Sequence, residues 1–252
     1  MRFPLRLTAD LALARIARRL RPEQGACPVQ FVDAAEVLHP DSSHPVSHEK
    51  IREIIGSRSP VVWIGGSEPL LHPGIAHLVR AFTQNGHFVF LETDGVLLRR
   101  RIHEFQPVPR LFLTVRLKAS YLETGASQLA FEGIRAARLS GFLICAQVRV
   151  APETGTSEVA ELINLAHSNH VDGIVISPAS REVNSANPDA AASLRKTEET
   201  RKLIGSASWE SVSRLIEPLV GGEKNAGRSA EEKSDALVEG VSRRNEEGVK
   251  AA

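Results

Sequence analysis

Two short segments carry side chains whose types and spacing suit the binding of a small charged molecule. In the first, the apolar run Val61-Val62-Trp63-Ile64 ends at Gly65-Gly66-Ser67-Glu68-Pro69. In the second, Phe88 to Leu91 leads into Thr93-Asp94-Gly95. Paired glycines lack a Cβ and let backbone N–H and C=O groups approach a ligand closely. The Glu68 carboxylate is suited to pair with an amine, and Thr93 and Asp94 can hydrogen-bond a second polar group. Glu68 also has a plainer reading, as a carboxylate facing the positive end of a helix. Further along, Gln147 and Arg149 alternate on the run Phe142 to Val150 and so share one face of a strand. That face suits either a ligand cavity or a polar, water-filled interior.

Other chemistries find no support. The chain has two cysteines, Cys27 and Cys145, which excludes a disulfide framework and any site that draws three or four thiolates from it. Cys145 lies in an apolar run and reads as an inert core thiol. His39 and His44 read as solvated loop residues, not as a metal-binding pair. There is no G-x-S-x-G, no phosphate-binding G-x-x-x-x-G-K-[ST], no H-E-x-x-H and no C-x-x-C. A net charge of +1 gives no general attraction to nucleic acid. No apolar stretch nears the roughly 20 residues of a membrane span, and the start of the chain lacks a secretory h-region. A cytoplasmic protein is expected.

The elements that must position these residues alternate in type. Strands are expected at Val29 to Val32, Val61 to Ile64, Phe88 to Leu91, Leu111 to Leu117, Phe142 to Val150 and Gly173 to Ile176. Helical spacing falls between them. It begins after Ser47 (an N-cap residue by type) and recurs at Ile75-Leu78-Val79-Phe82, over Val96 to Phe105, at Leu129-Gly133-Ile134-Ala137 and at Val159-Leu162-Ile163-Ala166. About six β/α units imply a parallel sheet with right-handed crossovers. Runs such as VVWI and IVI, apolar at every position, suit strands covered on both faces. An open doubly wound sheet and a curled partial barrel fit this pattern equally.

Residues 1–24 form a basic amphipathic segment, with Leu13, Ile16, Ala17 and Leu20 at helical spacing among Arg15, Arg18, Arg19 and Arg21. It reads as a helix closing one end of the domain or as a peripheral membrane contact. Residues 25–207 make the β/α domain. Residues 208–252 are poor in large apolar side chains and read as a short helix and a disordered charged tail.

Gly66-Ser67-Glu68-Pro69 resembles the GGEP motif of radical S-adenosylmethionine (radical SAM) enzymes, with its second glycine replaced, and Thr93-Asp94-Gly95 is similar to their Thr-Asn-Gly. MRFPL at the start, EPLLHPGI, the VRL strand at 115–117, SGF at 140–142 and VDGIVISP at 171–178 resemble the adenosylhopene transferases of hopanoid lipid biosynthesis, over roughly residues 1–205. The resemblance implies a partial (β/α)6 TIM-like barrel. It also implies S-adenosyl-L-methionine held by Gly65, Gly66, Ser67, Glu68, Thr93 and Asp94, to which Gln147 is added from the strand face described above, a [4Fe–4S] cluster, and a polyprenoid lipid or other small molecule as ligand.

One part of that pattern is missing. The family's Cys-x3-Cys-x2-Cys, which would follow the first strand, does not occur. With Cys27 as first ligand, Phe31 and Ala34 stand where cysteines belong. If Val29 to Val32 is instead the first strand, the loop is deleted before Ser47, and Pro28 favours this second register. Lys118 replaces a common Asp, and Glu92 a common Cys. Three readings follow. The chain is a degenerate radical SAM-like protein without a cluster, keeping weak S-adenosylmethionine or lipid binding or assisting an active paralogue. It is an active polyprenoid transferase whose cluster loop has dropped out of the sequence. Or it is a non-catalytic scaffold.

Overall fold

The computed structural model describes residues 5–20, 28–34, 48–122, 126–179 and 188–204. Cys27, His39, His44, Ser47, the span 35–47 in which a cluster loop would fall and the 208–252 tail lie outside the described residues, whereas Phe31, Ala34 and the run Val29 to Val32, on which the two registers turn, lie within them.

The order of elements is α1 (Leu5–Leu20), β1 (Val29–Asp33), α2 (His48–Gly56), β2 (Val61–Gly65), α3 (Ile75–Gln84), β3 (Phe88–Thr93), α4 (Leu98–Arg101), β4 (Leu111–Leu117), α5 (Ala126–Leu139), β5 (Leu143–Val150), α6 (Thr156–Ser168), β6 (Gly173–Pro178) and α7 (Pro188–Ile204). All six strands are parallel and lie in sequence order in one sheet, curled into a half-barrel. This decides between the two architectures that periodicity left open.

The strands read as unbroken apolar runs because both faces are covered, and alternation sorts each run into two cores. Outward residues such as Val62, Ile64, Leu91, Leu113, Val148 and Ile174 pack against the helices. Inward residues Val29, Val61, Trp63, Phe88, Phe90, Phe112, Cys145 and Val175 form a separate core inside the curl. Phe31, Trp63, Phe90 and Phe112 fall on one line of register across four strands. Trp63 stacks on Phe90 with ring centroids 5.1 Å apart, and Phe90 on Phe112 at 4.6 Å. This aromatic row is the floor of the lumen.

Below the floor, Leu7 and Leu11 of α1 join the inner core beside the first residues of β1, β2 and β3. The helix therefore closes the N-terminal end of the half-barrel. It does so through a different face from the one its sequence suggested. Leu13, Ile16 and Leu20 are 65%, 54% and 76% exposed, whereas Leu7 and Leu11 are buried. Among the described residues no helix is long and apolar enough to cross a membrane.

Two further elements depart from expectation. Val96 to Phe105 is a single α-turn, α4, followed by a 3-10 turn at Ile102–Glu104, not one helix. Helix α7 was not anticipated. Its buried face holds Ser193, Thr197, Thr200 and Arg201, so it leaves no apolar periodicity to read. Arg201 donates to the carbonyl of Ile176 on β6, which ties that polar face to the sheet.

Candidate functional site

Parallel strands end on the same side, so the loops after β2 and β3 meet above the aromatic floor. Gly65 ends β2, and Gly66 turns the chain with φ +87°, a left-handed conformation that favours glycine. A Cβ on Gly66 would lie 2.3 Å from Oδ2 of Asp33 at the end of β1, so the turn also needs a bare Cα for space. Ser67 is exposed in the same turn.

Glu68 caps the 3-10 turn Pro69–Leu71, accepting from Leu70 N–H at 3.2 Å. The same Oε1 accepts from the Thr93 hydroxyl at 2.7 Å. Its Oε2 accepts from Asp94 N–H at 2.8 Å and from the Arg116 guanidinium at 3.3 Å. Glu68 thus starts a helical turn, the plainer of its two readings, and also clasps the Thr93-Asp94 loop. A carboxylate offers about four lone-pair positions, and these four donors take them all. Burial raises the Glu68 pKa above the ordinary 4.5, against the lowering effect of the Asp94 and Thr93 hydrogen bonds.

The Thr93-Asp94-Gly95 loop is fixed from within. Gly95 N–H donates to the Thr93 hydroxyl at 3.0 Å, and Val96 N–H to the Asp94 carboxylate at 3.0 Å. Tyr121 donates its hydroxyl to the Asp94 carbonyl at 2.8 Å. Burial and the nearby Asp94 charge push the Tyr121 pKa up to about 12, so it stays a neutral donor.

Inside the lumen, one step above the aromatic row, lies Glu92, with no exposed surface. Trp63 donates its indole N–H to Glu92 Oε2 at 2.8 Å, and Arg149 pairs with Oε1. Arg116 lies on β4 between the two carboxylates. Its Nε is 3.4 Å from Glu92 Oε1, within charge-pairing distance but out of line for a hydrogen bond. Its other contacts are Glu68 and the Gly66 carbonyl at 3.4 Å. The result is an alternating row, Glu68–Arg116–Glu92–Arg149, across the mouth of the half-barrel.

Gln147 does face this lumen. Its amide nitrogen donates to Ser177 at 3.1 Å, while its Oε1 and the hydroxyl of Thr114 are buried without a hydrogen-bond partner. Arg149 points the same way. Reading the sequence missed Arg116, Asp33, Tyr121 and Thr114 as parts of the site. The signal for Arg116 is a charge at an inward position of the otherwise apolar LFLTVRL strand. Lys118 lies past the end of β4 and is exposed.

The chain's own residues do not fit an iron–sulfur cluster. Such a cluster needs three thiolates, and the sequence contains two cysteines. Cys145 is fully buried in the inner core, where desolvation pushes its thiol well above the ordinary range. Among the described residues no three His, Cys, Asp or Glu side chains group as a metal ion would require. The residues at the mouth do suit a ligand that carries positive charge. Asp33, Glu68, Glu92 and Asp94 outnumber Arg116 and Arg149 there.

No family model matches the sequence, and no curated protein does. Several solved structures are similar to the chain. SuiB of Streptococcus suis bound to the precursor peptide SuiA is 13% identical with a TM-score of 0.51, over 77% of this chain and 48% of that one. SuiB bound to S-adenosylmethionine gives 14%, 0.44, 79% and 49% on the same measures. Archaeal TYW1 gives 14%, 0.44, 80% and 61%. At such identities the likeness is one of fold, and this chain spans about half to three-fifths of the length of these proteins.

Proposed function

We propose that the protein is a radical SAM-like half-barrel that binds S-adenosylmethionine weakly at its mouth without assembling a [4Fe–4S] cluster. The observation that carries this reading is the clasp of Glu68 on Thr93 and Asp94 at the ends of β2 and β3. It places a partly buried carboxylate beside the Gly65-Gly66 turn, in a mouth where acidic groups exceed basic ones. A ligand with an ammonium and a sulfonium group meets complementary charge there. The motif resemblance supports the same ligand class.

Adenosyl transfer to a polyprenoid, the activity that the adenosylhopene transferase motifs imply, requires the cluster. The chain lacks the ligands for it, so that step is not proposed. From a typical micromolar affinity, losing a metal chelate of the ligand's amino and carboxylate groups, at about 4 kcal/mol and about tenfold for each 1.4 kcal/mol, puts the dissociation constant near the millimolar range.

Ligand-detected NMR titration of S-adenosylmethionine on wild type and Glu68→Gln tests the reading. Glu68→Gln keeps the shape and one acceptor oxygen, which can serve the Thr93 hydroxyl or Asp94 N–H but not both, and removes the charge, so binding should weaken. Equal affinity in the two proteins, or no binding in either, would leave Glu68 as a structural clasp alone.

A further inference from the structure

The four lone-pair positions of Glu68 are all in use, and the last is held by Arg116. A ligand's ammonium can reach the carboxylate only where a donor leaves. Leu70 and Asp94 contribute backbone N–H groups fixed by their loops, and the Thr93 hydroxyl is held at 2.7 Å. Arg116 is the one donor on a long side chain, and it makes no short contact. Its distances to Glu68, Glu92 and the Gly66 carbonyl are 3.3, 3.4 and 3.4 Å.

Its departure leaves neither carboxylate bare. Glu68 would keep three donors and gain the ligand. Glu92 would keep the Trp63 indole and Arg149. The Arg116 side chain is 17% exposed, towards the mouth, so solvent lies within its reach.

We infer that Arg116 is the residue that sets the site's selectivity for cations: its guanidinium occupies the place of a ligand's ammonium on Glu68 and must be displaced for binding. This rests on the reading of Glu68 under Proposed function. Each cationic ligand then competes with a tethered cation. The intrinsic affinity of the mouth for an ammonium is therefore greater than the affinity observed. A ligand without an ammonium has no such competition to overcome.

The test uses the whole chain and two probes. One is S-adenosylmethionine. The other is 5′-methylthioadenosine, which keeps the nucleoside and the methylated sulfur, as an uncharged thioether, but lacks the amino-acid arm and with it both positive charges. Both are titrated by ligand-detected NMR into wild type, Arg116→Gln and Arg116→Lys. Arg116→Gln should bind S-adenosylmethionine roughly two- to fivefold more tightly, the scale of a partly exposed ion pair removed from competition, with 5′-methylthioadenosine unchanged. Arg116→Lys keeps the charge but loses the fork that spans two carboxylates, so its gain should be smaller. It carries the same reading should Arg116→Gln fail to fold.

An equal gain for both probes would make Arg116 a steric plug. Unchanged or weaker S-adenosylmethionine binding would make it a ligand contact or a structural pair. Either result overturns the inference. If S-adenosylmethionine binds none of the proteins, the reading under Proposed function falls. The place of Arg116 is then decided by the titration of Glu68, followed by carbon-13 NMR. Removal of a cation in contact raises a carboxylate pKa, so a Glu68 titration that does not move upward in Arg116→Gln would overturn the inference independently.

Discussion

At the N-terminal end of the strands, Leu7 and Leu11 of α1 close beneath a row of stacked aromatic rings. At the other end of the same lumen, Glu68, Arg116, Glu92 and Arg149 meet across its mouth. The floor gains stability from apolar area and ring stacking, which need no particular partner charge. The mouth holds partly desolvated charges, whose mutual attraction largely repays their desolvation and adds little net stability. One end is thus suited to holding the fold, the other to exchanging one ion pair for another. The Trp63 indole joins the two, since its ring stacks in the floor and its N–H bonds Glu92.

This contrast is most exposed to failure at the floor. Phe90 is fully buried between Trp63 and Phe112. Phe90→Ala should cost about 3–5 kcal/mol of unfolding free energy in denaturant titrations. A cost below about 1 kcal/mol, within the range of surface substitutions, would mean that the aromatic row does not hold the barrel.

A smaller effect separates the mouth's geometry from simple backbone strain. Gly66 and Gly141 have nearly the same φ, +87° and +83°. An alanine at Gly141 would meet only Pro107 Cβ, at 3.8 Å, whereas at Gly66 it would strike the Asp33 carboxylate. Gly141→Ala should therefore cost about 1–2 kcal/mol, the price of the left-handed conformation alone. Gly66→Ala should cost about 1 kcal/mol or more beyond that, because the Asp33 side chain must move. Equal losses would show that Asp33 yields freely and does not hold the turn.

The smallest effect concerns pH. Burial raises the Glu68 pKa above 4.5, so between that value and its folded pKa the native chain binds a proton that the unfolded chain has lost. Glu68's contribution to stability is therefore greatest at low pH and declines as pH rises through this window. Glu68→Gln should flatten that part of the stability profile. Over the same window S-adenosylmethionine binding should strengthen as pH rises, because the ammonium needs the ionised carboxylate. Binding to wild type that is indifferent to pH there would separate Glu68 from the ligand.

Much of the frame was legible in the chain. Six apolar runs with intervening helical spacing gave the strand count. A glycine turn before Glu68 and a glycine after Thr93-Asp94 marked two loops that parallel topology must bring to one side. The amphipathic start was legible as a helix, but its buried face was not. Leu7 and Leu11 on one side and Leu13, Ile16 and Leu20 on the other are all apolar, and only the barrel's open end selects between them. Helix α7 left no apolar stripe, since serine, threonine and arginine fill its buried side. The pairing of Arg116 with Glu68 and Glu92 was invisible for a related reason. A strand's alternation says that Arg116 shares a face with Thr114, but not that the face turns inward. Nor does local sequence say which carboxylates from β2 and β3 lie opposite it. Local sequence encodes the period of each element and the conformation of each turn. The curl of the sheet brings charges from separate strands together, and it arises from the packing of all six strands at once.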